Sequence, residues 1–143
     1  MDMLDKRIRQ ILPIVMMLIV ITVGTTQPPS ETISVSNGLQ DLCKELIPNV
    51  SGRWATDMHW FRSLLHLPLY FMLGFIAAFP FSKVWVSVGV CSIIALADET
   101  LKIFLPTREF EVGDIIIDAI GFLVGIGLVA LCRWIGSKRK IRE

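Results

Sequence analysis

Four apolar runs, at residues 8–26, 62–81, 84–105 and 112–134, occupy most of this chain of 143 residues. A helix needs roughly 20 apolar residues to cross the hydrocarbon core of a bilayer, and each run reaches or nearly reaches that length. With 53% hydrophobic residues, the chain carries more apolar surface than a soluble domain of its size can bury, so lipid is the expected solvent. The links at residues 82–83 and 106–111 are short, which makes the last three runs neighbours in alternating directions. The expected fold is an all-α membrane protein, a four-transmembrane-helix up-down bundle forming one domain over residues 1–143.

Basic residues orient that bundle. Lys6, Arg7 and Arg9 precede the first run, Lys83 lies between the second and third, and Arg133, Lys138, Arg139, Lys140 and Arg142 end the chain. The opposite side holds Lys44, Arg53 and Arg108. The positive-inside rule then places both termini in the cytoplasm and the 27–61 and 106–111 loops outside, as in a multi-pass membrane protein. The tail GSKRKIRE reads as a stop-transfer anchor, with contact to anionic lipid as the lesser alternative. A net charge of +1 gives no reason to expect a nucleic-acid partner. The first run could be a cleaved signal peptide, but no clear small-x-small site stands near Gly24, and an uncleaved helix with Pro13 near its start is the expectation.

In the first outer loop, residues 25–38 have a loop composition, and Leu39, Leu42, Leu46 and Ile47 follow at helical spacing. A short amphipathic helix on the membrane surface or capping the bundle is predicted there. Trp54, Trp60 and Phe61 are residue types that settle at the headgroup level. Cys43 lies outside, whereas Cys91 and Cys132 fall within apolar runs as small buried hydrophobes, so no disulfide framework is expected.

The charges inside the apolar runs point to function. Asp98, Glu99 and Lys102 lie near the outer end of the third run, and Asp114 and Asp118 in the first two turns of the fourth. On the second, Arg62, His66 and Tyr70 form an i, i+4, i+8 stripe at similar depth. Ionisable groups in hydrocarbon cost several kcal/mol unless paired or hydrated. Convergence of Arg62, His66, Tyr70, Asp98, Glu99, Lys102, Arg108, Asp114 and Asp118 on one polar cluster satisfies that demand. The spacing makes Asp98 and Lys102 an i, i+4 pair, with Glu99 about 100° away. Asp114, Asp118, Gly121 and Gly125 share one helix face, so the carboxylates ride on the close-packing GxxxG face. A purely structural network holding three helices in register is the competing interpretation.

These residues resemble the VanZ family of small bacterial membrane proteins. The resemblance rests on RSLLHLPLYFMLG with His66, Tyr70 and Gly74, on ADETLKIFLPTRE with Asp98, Glu99, Phe104 and Arg108, and on VGDIIIDAIGFLVG with Asp114, Gly121 and Gly125. TTQPPSE after the first run also resembles the family's loop. Lys102 and Asp118 stand where the family usually has Gln and Asn, and these opposite charge changes suggest a Lys102 to Asp118 ion pair. The resemblance implies a role linked to resistance against teicoplanin-like glycopeptides or to envelope homeostasis, with a lipid-anchored glycopeptide or cell-wall precursor as partner alongside membrane lipids.

Three functions follow. The leading expectation is a binding protein rather than an enzyme, in which Arg62, Arg108 and Lys102 hold anionic groups of an amphiphile while Asp98, Glu99, Asp114 and Tyr70 orient them. The alternative is an intramembrane enzyme using His66 and the carboxylates for acid/base or metal-assisted chemistry. With one histidine at the right depth and no HExxH, no metal or other cofactor is expected. A proton-coupled transporter subunit, working as a homo-oligomer, is the third.

Overall fold

The computed structural model describes residues 2–26, 29–46, 58–81, 83–105 and 110–140, and at some helical positions, Arg62 among them, it describes the backbone alone. Trp54, Arg108 and Glu109 lie outside the described residues, and so do the side chains of Trp60 and Arg62. Among the described residues the chain forms five helices: α1 (Asp2–Thr26), α2 (Pro29–Leu46), α3 (Met58–Ala77), α4 (Val84–Lys102) and α5 (Val112–Lys140). The molecule is an all-α, membrane-associated bundle. Two helices, Val84–Lys102 and Val112–Lys138, are long and apolar enough to cross a bilayer, while Gln10–Thr26 and Ser63–Ala77 are shorter apolar stretches.

The helix ends differ from the sequence expectation in ways that local chemistry explains. α3 stops at Ala77, ahead of Pro80, which cannot supply the amide that another helical turn would require. The connection to α4 is held by Ala78 N donating to the Gly74 carbonyl at 3.1 Å and by Ser87 Oγ donating to the Ala77 carbonyl at 3.0 Å. Because α1 begins at Asp2, Pro13 falls inside it rather than near its start. One backbone hydrogen bond is therefore missing in mid-helix.

The loop reading of residues 25–38 does not hold. Thr25 and Thr26 end α1, and α2 begins at Pro29, well before Leu39. Proline is tolerated in a first helical turn, so Pro29 starts a helix as readily as it fills a loop. The helix also sits the other way round from a simple capping element. Ser36 and Gln40 are buried and Cys43 is half-buried, whereas Leu39, Leu42 and Leu46 are exposed. The polar stripe packs on α3, and the apolar stripe is turned away from the bundle.

Glycine sets the central contact. α3 and α5 run parallel in intimate contact, with α4 antiparallel between their ends. A Cβ on Gly121 would lie 2.8 Å from the Leu67 carbonyl oxygen, and one on Gly125 or Gly74 would overlap the backbone at Phe71 or Phe122. Missing side chains thus let two backbones touch, the packing mode of membrane helices. Below the polar residues, Tyr70, Leu73, Ala77, Cys91, Ile94, Ala95, Phe122, Ile126 and Val129 form the core, joined by Ile14 and Ile21 from α1. Cys91 is buried there as expected, but Cys132 is exposed on the outer face of α5.

Candidate functional site

The polar residues of α3, α4 and α5 meet because the glycine contact fixes the rotation of α5 against α3. Gly121 facing Leu67 and Phe71 places Asp118, three residues earlier on the same stripe, opposite His66. His66 Nδ1 lies 3.0 Å from Asp118 Oδ1. The Asp118 side chain is completely buried and that of His66 mostly so. One turn further along α3, the Tyr70 ring stacks on His66 with 6.1 Å between centroids and 7° between planes.

α4 supplies the second group. Lys102 Nζ donates to Glu99 Oε1 on its own helix and, at 2.8 Å, to Asp114 Oδ2 on α5. The other Glu99 oxygen accepts the Glu111 backbone N–H at 3.1 Å, tying the start of α5 to α4. Both partnerships depart from the expectation. Lys102 pairs with Glu99 at i, i+3 instead of Asp98 at i, i+4, and it forms no ion pair with Asp118. The cause is rotational: Glu99 and Lys102 both face the N-terminal turn of α5, while Asp98 faces the first helix.

There the Thr25 hydroxyl donates to Asp98 Oδ1 and also lies 3.1 Å from the Ile21 carbonyl. α1 is therefore part of the site, through a residue assigned to a loop on composition. Asp98 is buried as well. Its Oδ2, Asp118 Oδ2 and the Tyr70 hydroxyl are shielded from solvent without a hydrogen-bond partner among the described residues. Unsatisfied polar atoms in the interior are destabilising unless something else meets them.

Of the nine predicted cluster residues, the structure brings together His66, Tyr70, Asp98, Glu99, Lys102, Asp114 and Asp118. Arg108 and the Arg62 side chain fall outside what is described. The leading expectation includes no metal, but the alternative of a metal held by His66 and carboxylates gains support: His66, Asp98 and Asp118 each present one ligand atom, and the three atoms lie within 4.8 Å of one another. A histidine nitrogen with two carboxylate oxygens is a donor set suited to divalent transition metals. The sequence gathers all three into one cluster, but spacing cannot single out this trio, because its members come from three helices.

Curated proteins and solved structures give no match to this chain. The VanZ/LLP1 family model matches residues 10–133, a stretch that contains every residue of the cluster. With two helices of membrane-spanning length, the chain belongs to the VanZ/LLP1 family and is a bacterial membrane protein.

Proposed function

We propose that the buried cluster is an intramembrane site that binds a divalent cation through His66, Asp98 and Asp118. One observation carries this reading: three ligand atoms converge from three helices, and two of the carboxylates each keep an unpartnered, buried oxygen. Charge supports it. Asp98, Glu99, Asp114 and Asp118 face a single described cation in contact, Lys102, with His66 able to add a second charge. A bound dication, with His66 neutral as its ligand, would reduce the net charge of these groups from −3 to −1, which a low-dielectric interior favours.

Lys102 is no longer free to hold an anionic ligand, since it is buried between Glu99 and Asp114. That weakens the reading of a cationic headgroup clamp. In the arrangement proposed here, four apolar helices cross the membrane with both termini in the cytoplasm, and the cluster lies in the outer leaflet. A cation held there would polarise a carbonyl or phosphoryl oxygen on an outer-leaflet amphiphile. Lipid-anchored glycopeptides and cell-wall precursors, the partners implied by the resemblance, belong to that class. The dry core beneath Tyr70 argues against a through-path for protons.

A second reading is acid/base chemistry by the His66–Asp118 pair without metal, favoured by their 3.0 Å contact, which orients the imidazole. Elemental analysis of protein purified without chelators, followed by calorimetric titration with Zn²⁺, Mn²⁺ and Mg²⁺, separates the two. One ion per chain is expected, with His66→Gln and Asp118→Asn each weakening binding about tenfold or more. Protein that takes up no cation, or variants that bind as well as the wild type, would rule out the metal site.

A further inference from the structure

A second polar feature lies at the other end of the bundle. Asp114 and Arg133 are both on α5, nineteen positions apart, which is about 28 Å along a helix and close to the roughly 30 Å thickness of the hydrocarbon core. The Arg133 guanidinium donates to the carbonyls of Phe79 and Phe81, each at 3.3 Å, where the chain leaves α3. A guanidinium has five N–H donors, so three remain for another acceptor.

Beside this arginine lies a cavity of about 210 Å³ between the α3–α4 connection, α4 and α5. It exists because small side chains, Ala78, Ser87 and Ala130, face one another there, with Phe81, Val84 and Ile126 completing the apolar wall. The Ser87 hydroxyl is occupied by the Ala77 carbonyl, so the wall offers carbon, and Arg133 is the charged group of the lining. Lys83 stands 5.7 Å from the Trp85 ring and Lys138 stands 3.9 Å from the Trp134 ring. Tryptophan and lysine together mark the level of lipid headgroups.

An apolar slot with the Arg133 guanidinium at its rim, at headgroup level, fits one ligand chemistry. A soluble anion would leave the slot empty, and a zwitterionic lipid, whose phosphate could also accept from Arg133, would bring a quaternary ammonium up beside the guanidinium. We propose that this end of the bundle binds one anionic phospholipid of the leaflet next to the basic tail. Its phosphate lies on Arg133 and the start of an acyl chain enters the slot walled by Ala78, Ser87 and Ala130. The bound lipid bridges α3, α4 and α5 at the end opposite the carboxylate cluster, and the assignment does not depend on any metal there.

Native mass spectrometry of the full-length protein, delipidated and then exposed to phosphatidylglycerol or phosphatidylcholine, tests the site. One phosphatidylglycerol is expected to be retained about tenfold more strongly than phosphatidylcholine, with Arg133→Gln removing that preference. Ala130→Leu should lower retention with every charge still present, because it fills the slot. Lys138→Gln should leave retention unchanged. Equal retention by wild type, Arg133→Gln and Ala130→Leu would overturn the proposal, as would loss caused by Lys138→Gln alone, which would mean diffuse attraction to the tail. Displacement by millimolar inorganic phosphate would reduce it to a simple anion site. For wild-type protein, photocrosslinking with a phosphatidylglycerol carrying a diazirine near the start of its acyl chain should label the peptides containing Ser87 or Ala130. Labelling spread over α1 and the rest of α5 would count against a defined site.

Discussion

Replacing Lys102 by methionine tests whether the carboxylate cluster is held by this one ammonium group. At 2.8 Å from Asp114 Oδ2 and an effective dielectric of about 20, the raw attraction is about 6 kcal/mol, much of it offset by the desolvation of both partners. Removing the cation leaves Glu99 and Asp114 facing each other with side-chain exposures of 0% and 11%. Breaking a buried pair in this way costs about 3–5 kcal/mol, because a charge remains buried without its partner. Asp114→Asn should cost less, since Lys102 keeps Glu99. The double variant should then fall short of the sum of the singles by about 0.5–3 kcal/mol, the range for residues in direct contact. Reversible unfolding in mixed phospholipid and sodium dodecyl sulfate micelles, followed by tryptophan fluorescence, measures each stability. The matching cycle between Lys102→Met and Asp118→Asn should show weaker coupling, as these two make no ion pair. A Lys102→Met loss below about 1 kcal/mol, or additivity with Asp114→Asn to within about 0.5 kcal/mol, would refute the arrangement.

Two further substitutions probe the frame around the site. Gly125→Leu should abolish folding or cost about 3 kcal/mol or more through overlap with the Phe71 and Phe75 backbone, whereas Gly127→Leu, which meets nothing within 4 Å, should leave the same unfolding curve nearly unchanged. Thr25→Val keeps the volume but removes the hydroxyl that reaches Asp98, and should cost about 1.5–3 kcal/mol, as expected for a hydrogen bond to a charged group, with a wild-type curve marking the contact as unimportant.

Hydropathy made the helices legible because lipid exposure imposes a simple demand on composition, and the outward residues of α4 and α5, such as Ile93, Ile120 and Val124, meet it. It made the partners of the charges much less legible. Helical spacing fixes which residues share a face, but not how one helix is rotated against the next. Here that rotation is decided by Gly74, Gly121 and Gly125, which lock α3 to α5 and turn Asp118 toward His66. Once α5 is so placed, Asp114 comes within reach of Lys102, and the lysine cannot also serve Asp118. Asp98, left without the lysine, is met by Thr25, a residue whose composition-rich surroundings read as loop because Pro, Ser and Thr suit a helix start equally well. The charge compensation between Lys102 and Asp118 that the sequence suggests is thus shared across the cluster: the lysine is divided between Glu99 and Asp114, and Asp118 faces a histidine. It is this division that leaves Asp98 and Asp118 with unpartnered oxygens beside His66, the donor set on which the proposed cation site rests.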